Sequence, residues 1–228
     1  MATTEKKCII FDWDGTLINS SPCVIQAHHN TARILDLPEH DMVKLNTMLG
    51  QPSDVVSKQL TIGTDVKAID YQGHFRDEYQ KISQHIELYD FTIPLLELLN
   101  RTKQKCAIAT NKPEKIAAHE IIRTGVSRFF VQKEYACQSK AKPDPTMLEK
   151  ILDTQGFIAD DCIMIGDQTN DADAARTLDM DCIIVHDRDR PLWHKKYVDK
   201  TIFLERTALS DYLVQESIIQ PLETVKTT

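Results

Sequence analysis

The feature that most constrains the fold is a short apolar run that ends at two aspartates. Residues Cys8–Phe11 are all apolar, and Asp12 and Asp14 follow with one residue between them. Such a run is typical of a parallel strand covered on both faces, and ligands of open α/β sheets bind beyond the carboxyl ends of these strands. Although Asp14-Gly15 is also a common turn, two acids this close repel each other unless a cation or a proton lies between them. The segment therefore predicts a metal ligand, or a nucleophile paired with an acid/base, at a sheet edge.

The apolar pattern changes twice along the 228 residues of the chain. Residues 20–89 follow helical spacing, and prolines with a Gly-Thr-Asp turn divide them into four predicted helices. Their approximate bounds are 23–36, 41–48, 53–60 and 66–85. From Ile93 onward short apolar runs alternate with helical segments, which is typical of a parallel sheet. We therefore expect an α/β fold in which residues 1–19 and 90–228 form the sheet domain and residues 20–89 form an inserted helical domain.

The segments of the predicted sheet domain can be bounded to within a few residues. Further strands are predicted over 106–109, 129–132, 162–165 and 181–185, with an edge strand over 201–204. Helices are predicted over 94–101, 114–124, 146–155 and 171–178. Beyond about Ser217 the sequence shows little periodicity, so we expect the end of the chain to fray.

Three of the predicted strands end in polar residues, at places that a parallel sheet would bring to one crevice. The first ends at Asp12, the second at Thr110 and Asn111, and the third at Gly166-Asp167. Thr110 and Asn111 offer a hydroxyl, an amide and backbone N–H groups ahead of a helix, which suits an oxyanion, although they could simply cap that helix. With Asp12 nearby, phosphate binding is the better interpretation.

Lys142 and the acids around residue 170 complete the candidate site. A proline after Lys142 keeps it extended and out of the next helix, but most lysines in such loops are solvated, so the string is only moderately specific. Asp167 and Asp171 flank a helix start and could share a metal ion, although Asp171 could instead be a charge favoured by the helix dipole. We predict Asp167 as a direct ligand and Asp171 as a residue behind it. Oxygen ligands without a thiolate or histidine cluster favour Mg²⁺ over zinc.

Composition argues against several classes of partner. The chain carries 27 basic and 34 acidic residues, a net charge of −7, and lacks a basic stripe that could follow a nucleic-acid backbone. Its apolar runs are too short to span a bilayer, and its start does not resemble a leader. The six cysteines form no Cys-x-x-Cys pair and are interpreted as reduced core thiols. We expect a soluble, cytoplasmic protein, monomeric or homodimeric, that binds neither nucleic acid nor membrane.

Four motifs occur in the order found in the haloacid dehalogenase (HAD) superfamily, which the chain resembles along its whole length. They are Asp12-x-Asp14-Gly15-Thr16, Ala109-Thr110-Asn111-Lys112, Lys142-Pro143, and Gly166-Asp167-x-x-x-Asp171 followed by Ala174-Ala175-Arg176. The helical insertion after the first motif is similar to the C1 cap of phosphoglycolate phosphatase-like members. Two structural positions depart from the family, because Asp179-Met180 replaces the usual Gly-Met and Asp90-Phe91 replaces a common Pro-Gly.

The resemblance implies a Rossmann-like three-layer core with a parallel sheet, a C1 cap over residues 20–89, and a Mg²⁺-dependent phosphatase acting on a small, phosphoglycolate-like phosphomonoester metabolite. It implies that Asp12 attacks phosphorus to give an aspartyl-phosphate, while Asp14 serves first as general acid and then as general base. The implied metal ligands are Asp12, the backbone carbonyl of Asp14, and Asp167. The implied phosphate-binding residues are Thr110, Asn111 and Lys142.

Two other functions stay open at this point. The first is a phosphosugar mutase of the same superfamily, although such mutases tend to carry Val where this chain has Thr16. The second is a non-catalytic binding or regulatory protein on the same scaffold. A site that no longer catalyses a reaction would be expected to lose some of its acids or its lysine. Here all the residues of the four motifs are present. A phosphatase is therefore the preferred interpretation.

The substrate is not determined by the sequence. The helical insertion would select it, and the residues near Gly50-Gln51-Pro52, with Arg76 and Lys58 farther away, are candidates to reach the crevice. His28 and His29 lie on a predicted helix and are expected to face solvent.

Overall fold

The computed structural model describes residues 5–187, 196–197 and 199–219. Its strands are β1 (Cys8–Phe11), β2 (Lys105–Thr110), β3 (Phe130–Tyr135), β4 (Cys162–Gly166), β5 (Asp181–His186) and β6 (Thr201–Glu205). They form one parallel sheet in the order β3-β2-β1-β4-β5-β6. The order reverses at β1, whose last residue, Phe11, lies opposite Ile108 of β2 and Ile165 of β4. The ends of β1, β2 and β4 are therefore neighbours, at the place where open α/β sheets bind ligands.

Helices occupy most of the remaining described chain. They are α1 (Ser21–Ile34), α2 (Met42–Met48), α3 (Ser53–Leu60), α4 (Ala68–Ile82), α5 (Thr92–Arg101), α6 (Glu114–Arg123), α7 (Thr146–Gln155), α8 (Thr169–Thr177) and α9 (Leu209–Gln215). Each predicted helix is present, with bounds that differ by at most a few residues. Helix α8 begins two residues earlier than predicted, because Asp171 lies in its first turn and accepts the backbone N–H of Gln168.

Helices cover the sheet on both faces. Successive residues of β1 point to opposite sides of the sheet and therefore pack against different helices. Ile9 and Phe11 pack in one apolar cluster with residues of α5, α6 and α9, whereas Cys8 and Ile10 pack in a second cluster with residues of α7 and α8. Every side chain of β1 is fully buried. The predicted α/β fold, a parallel sheet between two helical layers, is confirmed.

Helices α1–α4 have an apolar cluster of their own, apart from the two clusters that flank the sheet. It contains Leu45, Met48, Val56, Leu60 and Tyr71. The chain leaves the sheet for these helices and returns from them side by side, since Asn19 N–H donates to the carbonyl of Glu87 and Tyr89 N–H donates to that of Leu17. The helical segment is thus held next to the end of β1.

Two smaller expectations from the sequence are tested in part. The first two residues beyond Ser217 are ordered by packing, because Ile219 is fully buried in the apolar cluster on one face of the sheet and the carbonyl of Ile218 accepts the N–H of Lys6 at 3.0 Å. Residues from 220 onward lie outside the described residues. The cysteines are not all core thiols, since Cys137 lies exposed in the turn after β3. No helix in the described ranges has both the length and the apolar character needed to cross a bilayer.

Candidate active site

A cavity of about 350 Å³ lies between the carboxyl ends of β1, β2 and β4 and the helices α1, α3 and α4. Five of the predicted site residues line it: Asp12, Asp14, Thr110, Asn111 and Asp167. Lys142, the sixth, lies behind Asp12 and is almost completely buried. The structure thus brings together residues from four motifs that are distant in the sequence.

Gly15 allows the loop after β1 to approach Asp167. Its φ of +72° falls in the left-handed region, and a Cβ atom built at this position would lie 2.3 Å from Oδ2 of Asp167. The loop is closed by a hydrogen bond from Gly15 N–H to the carbonyl of Ile18, and Arg206 donates to the carbonyl of Gly15. A residue with a side chain at position 15 would push Asp167 away from the site.

Three carboxylates meet at the floor of the cavity. Asp12, Asp167 and Asp171 each contribute an oxygen, and these oxygens lie within 4.8 Å of one another. Burial raises the pKa of Asp12 to about 7, in spite of the opposing charge of Lys142. Burial, together with the charges of Asp12 and Asp171, holds the pKa of Asp167 well above its ordinary value. Ionised carboxylates this close together therefore require a positive charge between them.

Asp167 has an oxygen suited to a cation. Its Oδ2 accepts a hydrogen bond from Nε2 of Gln168 at 2.8 Å, whereas its Oδ1 is buried and has no hydrogen-bond partner within the described chain. A buried carboxylate oxygen without a partner is costly unless it binds a cation. Because the surrounding donors are oxygens, the residues present fit a hard divalent cation such as Mg²⁺ between Asp12 and Asp167.

Both carboxylate oxygens of Asp171 accept hydrogen bonds from other groups of the protein. Oδ1 accepts from Nζ of Lys142 at 2.6 Å, and Oδ2 accepts from the backbone N–H groups of Asp167 and Gln168 at 3.2 and 3.0 Å. A Cβ atom on Gly166 would lie 2.3 Å from this carboxylate, so the glycine makes room for it. The geometry suits the predicted place of Asp171 behind the metal ligands, where it fixes Lys142 and the start of α8.

Lys142 is a buried cation with three acceptors. Its Nζ donates to Oδ1 of Asp12 at 2.8 Å, to the carbonyl of Ala109 at 2.6 Å and to Asp171. Burial by itself would lower the pKa of Lys142, but the carboxylates of Asp12 and Asp171 outweigh it and raise the pKa above its usual value. The ammonium group is therefore charged and fixed directly beside Asp12.

Asn111 and Thr110 have different surroundings. The amide of Asn111 accepts from the N–H of Lys142 and donates to the carbonyls of Lys142 and Gly50, so it ties the Lys142 loop to the helical segment. Thr110 accepts the N–H of Lys112 at 3.1 Å, and its hydroxyl can still donate toward the cavity. Helix α6 has no side-chain cap, so neither residue serves as the helix cap that the sequence left open. The side chain of Asn111 is thus less available to a phosphate than Thr110.

Lys112 was not singled out from the sequence, yet it contacts Asp14. Its Nζ lies 2.6 Å from Oδ1 of Asp14, 2.7 Å from the hydroxyl of Tyr79 and 2.8 Å from Oε2 of Glu120. Glu120 also accepts from the Trp13 indole at 2.8 Å and from Tyr79 at 2.9 Å. Burial opposes the charge of Lys112, but Asp14, Tyr79 and Glu120 raise its pKa above the usual value. The one sequence signal was its place beside Thr110 and Asn111.

The helical segment supplies the opposite wall of the cavity. Gly50, Gln51 and Arg76 line it, as expected for three of the candidate substrate contacts, whereas Lys58 lies outside it and pairs with Asp54 on the surface. The expectation that His28 faces solvent is wrong. Its side chain is buried and its ring lines the cavity, because its Nδ1 is satisfied by a hydrogen bond with a tyrosine on α4.

The sequence of the chain is similar to a family model and to several known proteins. A family model described as haloacid dehalogenase-like hydrolase matches residues 9–185. The phosphoglycolate phosphatase of Vibrio cholerae is 30% identical over 181 residues, which cover 75% of this chain and 80% of that protein. The phosphoglycolate phosphatase of Vibrio parahaemolyticus is 27% identical over 186 residues, which cover 77% of this chain and 82% of that protein.

Solved structures share the fold at lower sequence identity. A predicted phosphoglycolate phosphatase from Haemophilus somnus superposes with a TM-score of 0.79 at 22% identity, covering 92% of this chain and 99% of that one. A haloacid dehalogenase-like hydrolase from Streptococcus pneumoniae gives a TM-score of 0.77 at 21% identity, covering 94% and 100%. At this level of identity the likeness shows the fold alone.

Proposed function

Because the chain belongs to the haloacid dehalogenase-like hydrolase family, we propose that it is a Mg²⁺-dependent phosphatase that hydrolyses a small phosphomonoester metabolite through an aspartyl-phosphate on Asp12. The observation that supports it most is the floor of the cavity, where Asp12 lies 2.8 Å from the buried ammonium of Lys142 and close to Asp167, whose Oδ1 has no hydrogen-bond partner among the described residues. Phosphoglycolate, which the names of the relatives indicate as their substrate, is the first ester to test.

Asp12 is the proposed nucleophile. Its carboxylate lines the cavity at the end of β1, and one oxygen is held by Lys142, which fixes the direction of the side chain. Attack on phosphorus forms a bond to Asp12 and breaks the bond to the ester oxygen. The charge of Lys142 and the hydroxyl of Thr110 would stabilise the phosphoryl oxygens as this happens. Mg²⁺ bound by Asp12, Asp167 and the backbone carbonyl of Asp14 would offset the remaining negative charge.

Asp14 is the proposed general acid and base. It donates a proton to the departing ester oxygen and then removes a proton from the water that attacks the aspartyl-phosphate. This second step releases inorganic phosphate and restores the Asp12 carboxylate. The contact with Lys112 fixes the Asp14 side chain on the cavity side of the loop, within the reach of a leaving group.

Residues 20–89 are the proposed cap, and residues 1–19 and 90–228 are the proposed core. The carbonyl of Gly50 in the helical segment accepts from Asn111 at 3.2 Å and from Asn170 at 2.8 Å, so the segment is fastened over the strand ends by two amides. A covered site keeps bulk water away from the aspartyl-phosphate until the leaving group has departed.

Release of inorganic phosphate by the purified protein tests the proposal. Phosphoglycolate and a panel of other phosphomonoesters should be hydrolysed with Mg²⁺, and Asp12→Asn should lower kcat by at least about a thousandfold, because an amide cannot serve as the nucleophile. The exposed Asp153→Asn on α7 is the matched control and should keep the wild-type rate. Activity retained by Asp12→Asn, with deamidation excluded by mass spectrometry, would contradict the proposal.

A further inference from the structure

The two walls of the cavity differ in chemistry. The charged groups lie on the floor, at the strand ends, where the phosphate would bind. The wall opposite comes mostly from the helical segment. It presents the apolar side chains of Val24, Met48, Leu49, Val56, Phe75 and Ile116 together with uncharged polar ones, among them Ser53, Ser57 and Gln72. The leaving group of a substrate must lie against this wall, because the phosphate occupies the floor. This inference rests on the proposed phosphatase function.

Aromatic side chains contribute part of the wall. The rings of His28 and Phe75 stack with centroids 4.2 Å apart and planes 21° from parallel, and Phe75 also contacts Tyr79 at 5.9 Å. The hydroxyl of Tyr71 lies 3.0 Å from Nδ1 of His28 and 2.9 Å from Nε2 of His40, which fixes the His28 ring. Planar groups of a ligand pack well against rings that are held in this way.

The wall carries little positive charge. Burial lowers the pKa of His28 to about 3, so its ring is neutral at physiological pH. Lys112 lines the cavity, but its ammonium is already shared by Asp14, Glu120 and Tyr79.

Two other cations line the described part of the cavity, Arg76 and Lys115, and both are solvent-exposed. Their exposure assigns them to the mouth of the cavity, away from its buried floor. The carboxylate of a two-carbon acid would stay close to the phosphate, beside the acids of the floor and a lysine that is already paired, where a further unpaired negative charge is costly.

The cavity is also larger than a two-carbon leaving group requires. Its volume of about 350 Å³ lies within the range of roughly 300–1,000 Å³ that is typical of pockets for ligands of drug size. The geometry points to a phosphomonoester whose leaving group is an uncharged alcohol with a planar ring, or with an apolar group of similar size. The ring packs on Phe75, which His28 supports from behind, and phosphoglycolate is a poor substrate.

Three esters of primary alcohols separate size from charge. Benzyl phosphate is uncharged beyond the phosphate and carries a ring, ethyl phosphate is uncharged and small, and phosphoglycolate is small and carries a carboxylate. We expect kcat/KM for benzyl phosphate to exceed that for phosphoglycolate by about tenfold or more, with ethyl phosphate between them. A kcat/KM for phosphoglycolate equal to or above that for benzyl phosphate would overturn the inference and would direct attention to Arg76 and Lys115.

Phe75→Ala tests the wall itself. It should lower kcat/KM for benzyl phosphate about tenfold, mainly through KM, and leave ethyl phosphate nearly unchanged, because only the ring loses its contact. Ile69→Ala, on the same helix but 65% exposed and outside the cavity, is the control and should change neither value. Equal losses for both esters in Phe75→Ala would assign the residue to the packing of the helices and contradict the inference.

The same assays test the proposed phosphatase function separately from the preference among the esters. Mg²⁺-dependent hydrolysis of any of the three esters that is abolished by Asp12→Asn supports the phosphatase, whatever the preference among them. If phosphoglycolate is then preferred, only the inference about the leaving group fails. If none of the three esters releases phosphate but another ester of the panel does, again only the inference about the leaving group fails. If no ester of the panel releases phosphate, both fail.

Discussion

Nζ of Lys112 lies 2.6 Å from Oδ1 of Asp14, inside a buried network that joins the sheet to the helical segment. The lysine follows β2, Tyr79 belongs to α4, and Glu120 belongs to α6. Tyr79 donates to Glu120, which also binds the lysine, so the position of α4 is coupled to the side chain of the proposed general acid. The orientation of Asp14 therefore depends on where the helical segment sits.

Lys112→Met should lower kcat by about 10- to 100-fold with little change in KM. The variant keeps the Asp14 carboxylate but removes the ammonium group that orients it, so only part of the roughly 10²–10⁴-fold contribution of general acid catalysis should be lost. The loss should be smaller with p-nitrophenyl phosphate, whose leaving group needs less help from an acid. Lys58→Met, on the surface of α3 and outside the cavity, is the control. Lys112→Met also leaves the buried Glu120 without its cationic partner, which could destabilise the fold. Tyr79→Phe, which removes only one hydroxyl from the same network, is therefore a milder second test. An unchanged kcat in both variants would show that Asp14 needs no anchor.

Gly15→Ala should raise the Mg²⁺ concentration needed for half-maximal activity by about tenfold or more, since Asp167 would have to move and metal sites lose roughly 10–100-fold in affinity when ligand support is lost. Gly63→Ala is a matched control, because Gly63 has a similar φ of +77° and no atom of the described residues lies within 4 Å of the added methyl group. Both variants should lose thermal stability through backbone strain, and only Gly15→Ala should change the metal titration. An identical Mg²⁺ requirement in the two variants would contradict the place of Asp167 in the metal site.

Asp14→Asn separates a phosphatase from a mutase. In a phosphatase, Asp14 activates water against the aspartyl-phosphate, so hydrolysis in ¹⁸O-labelled water should give labelled phosphate at a steady rate without a bisphosphate primer. The variant should slow this release and, where dephosphorylation becomes limiting, allow phospho-Asp12 to be detected by mass spectrometry. Isomerised sugar phosphate that forms faster than free phosphate would favour the mutase instead.

His28 should make the protein less stable in acid. Its pKa is lowered to about 3 by burial, whereas the unfolded chain has a histidine pKa near 6.5, so between these values only the unfolded state binds the proton. Stability should therefore fall as pH decreases from 6.5 toward 3, by about 2 kcal/mol at pH 5 from this residue. Urea unfolding at pH 7 and pH 5 should show a smaller drop for His28→Gln than for wild type, and no such difference for the exposed His85→Gln. Equal drops in all three proteins would refute it.

The sequence by itself determined the strands, most of the helices and the place of the candidate site. Continuous apolar runs are typical of strands buried between two helical layers, and Asp12, Thr110 and Asp167 each lie at the end of such a run. Since parallel strands align their carboxyl ends, these residues had to meet at one edge once β1 paired with β2 and β4. The bounds of α1–α4 were also predictable to a few residues, because prolines and turn residues interrupt a helical period.

Only the tertiary structure decided which side chains are partners. A periodic pattern shows that a residue faces the interior, but it does not show which residue from another element lies opposite, because that depends on how the layers pack. Lys112 contacts Glu120 and Tyr79 because α6 and α4 pack against each other at this point. The side-chain amide of Asn111 is hydrogen-bonded to the Lys142 loop. His28 is buried because Tyr71 satisfies its ring, a contact between helices that no local pattern encodes.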